Sequence, residues 1–547
     1  MAPFKRAAVL AAVLVSAVWL GKDDGVDAAP PTQTDTRVAP LRDFLAAQGS
    51  PAFVSDEREA ELWKAVQTFY WNRGYQPAWI AEDVLTPGGQ AIVRALSGAN
   101  DEGLPIERYD PRRLVGQAPH VIPAALAGEA ADERYAKLDV ALTYAFLLYA
   151  DDVASGTVDP RGSTQLWRAN LRTMDPAAVL DQAARSGAPL SALDGLRPVH
   201  PQYTALSEAL VRHRRIASQG GWPALPAKLT LKPGKKSPHV PLLRERLQAS
   251  GDFSGVGMGD VYDQPLVDAM KAFERRHGLV PDGIVDKDAL AALNVPVEDR
   301  VRQIELNLER WRWQGWTPGA RSILVNIPTF QLHGYEEGRE VLTMRVVTGT
   351  GDNPTPVFGE QMEHVVFSPH WNVPPNILET EILPAVRRNP GYLARNNMEM
   401  FRSESGQIAV RQRPGPRNSL GLVKFLFPNP FHVYLHDTPA DNLFSRSRRA
   451  FSHGCVRLEK PEELARFVLR GTEWTEEEIA SAMRSGRERW VNLEQRVPVT
   501  IAYFTTWVDA DGTVRFGPDV YRHDVAQQDL LPVPAAAPTV LAAAARS

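Results

Sequence analysis

The chain has 547 residues, room for three or four domains of about 150 residues each. With 44% apolar and 23% charged residues it reads as globular rather than disordered. A net charge of −4 excludes any general pull toward nucleic acid or an acidic membrane surface, so neither is expected as a main partner.

Lys5 and Arg6 precede an apolar run from Ala7 to Leu20. At about 14 residues the run is short for a bilayer-spanning helix, and Val26-Asp27-Ala28 offers small residues to a peptidase. Residues 1–28 are therefore expected to be a signal peptide, with an uncleaved N-terminal membrane anchor as the alternative. The mature body would then work in the periplasm. Residues 29–40 read as a Pro/Thr-rich linker.

From 41 to 226 the apolar spacing is helical: Leu62, Val66, Phe69 and Tyr70 share a face, and Leu138, Leu142, Ala145 and Leu148 recur at three and four. The basic loop Lys232–Pro238 marks a boundary, and 236–296 reads as a compact module of three short helices. In that module Pro281-Asp282-Gly283 signals a turn and Asp286 a helix cap. Residues 297–319 form a helical connector. From 320 to 506 the period changes to strands, interrupted at 375–419 by a mixed helix and Pro/Gly/Arg segment of the kind that caps a site. Residues 507–547 are a C-terminal extension whose Ala/Pro-rich end is expected to be disordered. The class is α+β multidomain.

The one cysteine, Cys455, cannot form an intramolecular disulfide, so in an exported chain it is inert, intermolecular or a nucleophile. It lies in Ser452-His453-Gly454-Cys455-Val456-Arg457, 19 residues after His436. A strand over His432–His436 would place His432, Tyr434 and His436 on one face. A thiol needs a base to become the reactive thiolate. His453 shares its loop, whereas His436 can approach from a separate strand and is favoured. Asp437, Ser452 or a backbone carbonyl could fix its tautomer. Gly454 permits a sharp turn that frees amides for an oxyanion. Arg457 suits a substrate carboxylate, with a structural ion pair as the alternative. His-x-Cys on a tight loop is an uncommon zinc spacing, so no metal is expected.

These residues resemble the L,D-transpeptidase (YkuD-type) family, whose signature is a strand His followed by Ser/Thr-His-Gly-Cys-x-Arg. The wider chain resembles the large Gram-negative, YcbB-like branch. Phe69–Trp79 is similar to the start of that branch's helical scaffold domain, and Leu242–Leu293 to a three-helix peptidoglycan-binding domain. The segments Phe367–Pro375 and Pro414–Gly421 flank the insertion as they do there. The resemblance implies Cys455 as nucleophile and His436 as general base, with His453, Gly454 and Arg457 as supporting groups; Ser452 and Asp437 are further supporting candidates, Asp437 standing where many members carry Gly or Ser. Arg457, Tyr434, Trp371 and Asn372 are expected at the substrate. It further implies 3→3 cross-linking of peptidoglycan tetrapeptide stems through a cysteine thioester with release of D-Ala, no cofactor, and acylation by carbapenems. An L,D-carboxypeptidase on the same stems and an inactive wall-binding scaffold are the alternatives, and other wall-synthesis proteins are candidate partners.

Overall fold

The computed structural model describes residues 37–47, 54, 56–81, 84–110, 131–164, 166–168, 171–257, 259–315, 319–402 and 406–531. The expected signal peptide, most of the linker and the far C-terminal end lie outside these residues. A helix at Val38–Ala47 already begins within the last part of the expected linker.

The N-terminal part is helical, with two-residue strands β1 (Ile80–Ala81) and β2 (Val84–Leu85) forming its small hairpin. Its core is built on the long helix Ala131–Ser155, which buries side chains almost all round against Glu57–Asn72 and Pro87–Ser97. Asp139 organises this core. Its buried carboxylate accepts the amides of Ala78 (2.8 Å), Trp79 (2.8 Å) and Ile80 (3.0 Å) and the hydroxyl of Tyr70 (2.6 Å). Burial without these donors would be costly; here they pin the turn after Tyr75 to the helix.

The next unit has its own core around helices Val240–Ala249, Gln264–Arg276 and Lys287–Leu293. Asp286 caps the third helix by accepting from Ala289 N at 2.9 Å, and Gly283 takes φ +78° in the preceding turn. The helix Val297–Trp313 follows. It is more than a connector: Asn307, Glu309, Arg310, Arg312, Trp311 and Trp313 are all buried on it. The charges are paired, Arg310 with Asp524 at 2.7 Å and Arg312 with Glu309 at 2.9 Å, as buried ions require.

The remaining strands build a barrel. Strands β4 (Arg321–Asn326), β5 (Gln331–Glu336), β6 (Arg339–Gly349), β7 (Val357–Phe367), β11 (Val423–Leu426), β12 (Leu435–His436), β14 (Val456–Leu458) and β15 (Arg489–Ala502) pair in the order 11-12-14-6-5-4-15-7. Pairing of β7 with β11 closes the ring. Alternate residues fill its interior, among them Ile323, Val325, Val365, Phe367, Val423, Phe425, Leu435 and Val456. The helical part adds one strand: β3 (Trp167–Arg168) pairs in parallel with the start of β7.

The inserted segment has a three-stranded sheet of β8 (Trp371–Asn372), β10 (Ile408–Gln412) and β9 (Met398–Arg402), and a small apolar core with Val373, Ile377 and Ile382. Its sheet therefore starts four residues before the expected 375 boundary. Strand β13 (Ala450–Ser452) leads into the cysteine loop and pairs with β6. After the barrel, β16 (Thr506–Val508), β17 (Val514–Phe516) and the helix His523–Gln528 pack against Val297–Trp313, so the extension is ordered well past 507.

Candidate active site

The barrel's parallel pair β12–β14 sets the site. Leu435 lies opposite Val456 and His436 opposite Arg457, and Val456 N donates to Tyr434 O at 3.1 Å. Leu435 and Val456 point into the core, so Tyr434, His436, Cys455 and Arg457 share the outer face. The strand is shorter than expected. His432 takes φ +56°, outside the region a strand allows, and only Leu435–His436 pair in the sheet. That turn aims the His432 carbonyl at the cysteine, and Cys455 Sγ donates to it at 3.9 Å.

The His436 ring is buried, and its Nδ1 donates to the main-chain carbonyl of Asp437 at 2.5 Å. This leaves Nε2 as the unprotonated nitrogen. Of the three groups considered for fixing the tautomer, it is a backbone carbonyl that does so. The Asp437 carboxylate instead accepts Leu422 N and Thr438 N, each at 2.7 Å, and braces the loop. Burial, with the nearby cation of Arg457, pulls His436 down to about 3. Burial also pushes the Cys455 thiol up, partly offset by Tyr434 hydrogen bonds and the Arg457 charge. Both shifts favour the neutral thiol and neutral imidazole in the resting site.

The cysteine turn is tied from within and from behind. Ser452 Oγ donates to Cys455 O at 2.5 Å and accepts Gly454 N at 3.1 Å. Gly454 sits at φ +113°, where a side chain is strained. Behind it, the buried Thr355 hydroxyl donates to Gly454 O at 2.8 Å and accepts Gly349 N at 2.9 Å. Tyr521 OH donates to Gly349 O at 2.8 Å and accepts Thr355 N at 3.2 Å. Gly349 is required here, since a Cβ would run into Asn353 O. Sequence reasoning missed Thr355 and Tyr521, which carry no local pattern.

His453 faces the insertion rather than the thiol. Its Nε2 meets Glu381 Oε1 at 2.9 Å, both side chains being about half exposed. Glu381 stands on a π-helical turn, Leu378–Ile382, a form that recurs at functional positions. Arg457 makes no ion pair among the described residues, and its buried Nε has no hydrogen-bond partner. Trp371 and Asn372 pair with Gln412 and Arg411 in the sheet of the insertion, where Trp371 packs on its small core. Among the described residues no cluster of His, Cys, Asp and Glu could hold a metal.

A barrel presenting a lone cysteine beside a tautomer-fixed histidine, under an inserted cap, is the setting for acyl transfer. Residues 320–479 match the L,D-transpeptidase catalytic domain model of the YkuD family. Residues 64–210 match a scaffold domain and 236–293 a putative peptidoglycan binding domain. A curated putative L,D-transpeptidase of Haemophilus influenzae is 33% identical over 218 residues, 37% of this chain and 44% of that protein. The chain thus spans less than half the length of that relative. Among solved structures, an L,D-transpeptidase from Mycobacterium smegmatis is 12% identical over 33% of this chain and 58% of its own, with a TM-score of 0.19. One from Xylanimonas cellulosilytica is 16% identical over 51% of this chain and 99% of its own, with a TM-score of 0.16.

Proposed function

We propose that this chain is a periplasmic L,D-transpeptidase that forms 3→3 cross-links between diaminopimelate residues of peptidoglycan stems. The observation that carries the reading is the shared outer face of Cys455, His436 and Arg457, with His436 Nδ1 held by the Asp437 carbonyl. The thiol of Cys455 turns from the His432 carbonyl toward Nε2. It gives up its proton there as sulfur attacks the carbonyl at the L-centre of diaminopimelate in a donor tetrapeptide. The C–N bond to D-Ala breaks, D-Ala leaves with the proton from His436, and a thioester remains. The side-chain amine of a second diaminopimelate attacks the thioester, loses a proton to His436, and frees the thiol. Splitting one acyl transfer into two easier steps is what a cysteine nucleophile supplies.

With Gly454 N held by Ser452 Oγ, the Cys455 amide of that turn is suited to receive the oxyanion, and the unpaired Arg457 guanidinium to receive a donor carboxylate. Tyr434 lines the same face, its hydroxyl pushed up by burial and by the nearby thiol. The His453–Glu381 contact ties the cap to the catalytic loop and so favours exclusion of water, hence amine attack over hydrolysis. The peptidoglycan-binding domain would hold the wall substrate. Export through residues 1–28 belongs to the same reading; among the described residues no helix is long and apolar enough to cross a membrane.

The test is mass spectrometry of the full chain incubated with a disaccharide-tetrapeptide, beside Cys455→Ala. A Cys455-dependent dimer with a diaminopimelate–diaminopimelate bond is expected. Tripeptide without dimer would replace the reading with a carboxypeptidase, and no turnover with no adduct would leave a wall-binding scaffold.

A further inference from the structure

Strand register lines up one row of residues across the outer face of the barrel. Arg457 stands opposite His436, His436 opposite Lys424, Lys424 opposite Val366, and Val366 opposite Trp490. Directly paired residues project to the same face, and the residues beside them (Val423, Phe425, Leu435, Val456) fill the interior. The histidine at the centre of the site is therefore flanked by a cation on each side, Arg457 and Lys424.

Neither cation is paired within the described residues. Arg457 has a buried, unpartnered Nε. Lys424 is half-buried, and its ammonium lies 5.5 Å from the ring centroid of Trp490. The acid nearest in charge, Glu488, is engaged elsewhere, accepting His370 N at 2.8 Å and lying 3.3 Å from the His370 ring. Trp490 is 53% exposed while Val366 between it and Lys424 is fully buried, so Lys424 and Trp490 stand on a closed floor. A cation resting on an exposed tryptophan gains little from the contact. That alone does not account for a second unpaired cation at matched distance on the far side of His436.

We infer that Lys424, backed by Trp490, is a second carboxylate-binding residue of the donor site, taking the side-chain carboxylate of the donor diaminopimelate while Arg457 takes the carboxylate of the leaving residue. Adjacent strands are about 4.8 Å apart, so the backbone positions of Lys424 and Arg457 lie about 10 Å apart across the sheet with His436 midway. A stem whose reacting carbonyl sits over Cys455 carries one acid on the leaving residue. It carries a second several bonds away on the diaminopimelate side chain. The inference rests on the donor chemistry proposed above and adds a residue that reads that donor's charge.

The test measures Cys455 acylation in the full chain with two donors: a disaccharide-tetrapeptide with a free diaminopimelate side-chain carboxylate, and the same compound amidated there. For Lys424→Gln, KM for the acid donor is expected to rise about tenfold, the worth of one charge-assisted hydrogen bond. Its kcat should change less than about twofold, its KM for the amide should hardly move, and Lys424→Arg should keep the preference for the acid. Equal losses on both donors, or a change confined to kcat, would mean that Lys424 acts only through the field at His436 and would overturn the inference. A wild-type chain acylated by neither donor would overturn the transpeptidase reading itself, and this site with it.

Discussion

Replacing Thr355 by valine keeps the shape of a fully buried side chain and deletes one hydroxyl. That hydroxyl is bonded at both ends, to Gly454 O at 2.8 Å and from Gly349 N at 2.9 Å. Both glycines are buried, so the variant strands one carbonyl and one amide. An unsatisfied buried polar group costs about 1–3 kcal/mol, and the pair sums to about 3 kcal/mol after local relaxation. The more informative loss is kinetic. Gly454 O is the rear tether of the turn that presents Cys455 N and Sγ, and loosening such a turn is expected to slow acylation about 10- to 100-fold. The assay is the rate of carbapenem adduct formation on Cys455 by intact mass, run beside thermal unfolding, with Thr355→Ser restoring both. A valine variant that loses stability yet is acylated at the wild-type rate would refute the tether and reduce Thr355 to ordinary packing.

Three further outcomes follow from the same geometry. His436 and the buried His200 are each held down to about 3. The unfolded chain therefore binds more protons than the folded one below the ordinary histidine value of about 6.5. Stability should be intact above that pH and fall as the pH drops from about 6.5 toward 3, read by denaturant midpoints across the range. Since burial raises the Cys455 thiol, the acylation rate should climb with pH beyond the ordinary thiol range, with no inflection near 6.5. Glu381→Ala removes the contact from cap to catalytic loop. The pair is half-exposed and worth at most about 1 kcal/mol, so the ratio of hydrolysed tripeptide to cross-linked dimer should rise no more than about fivefold; an unchanged ratio would dismiss a role in excluding water.

What could be read from the residues was what lies close together along the chain. Ser452 to Arg457 is one loop, and its glycine, thiol and hydroxyl mean the same thing in sequence and in space. The helix cap at Asp286 and the strand periods are local in the same way. Thr355, Tyr521 and Lys424 reach the site only because the barrel's register carries them there, and no spacing announces a lone hydroxyl or a lone lysine. The five-residue strand through His432 was too long for a different reason. Alternation is satisfied by Val433 and Leu435 whether or not His432 pairs, and its positive φ is set by the turn, where Asn429 bonds across to Val433. Trp371 and Asn372 read as pocket residues from their place beside the insertion, and their backbones form the first strand of the cap's sheet.

The short strand β3 has a consequence for anyone who would divide this protein. Trp167 and Arg168 belong by sequence to the helical part, yet they extend the edge of the catalytic barrel, and Trp167 meets Trp313 edge-on at 5.6 Å. Family boundaries at 210 and 320 therefore do not mark seams. A fragment cut at 320 would bare the start of β7 as an open ladder, a ready template for self-association, and would lose both Trp167 and the helix Val297–Trp313 on which it packs. The helical part is a piece of the catalytic wall, and the two should melt together in a single cooperative step.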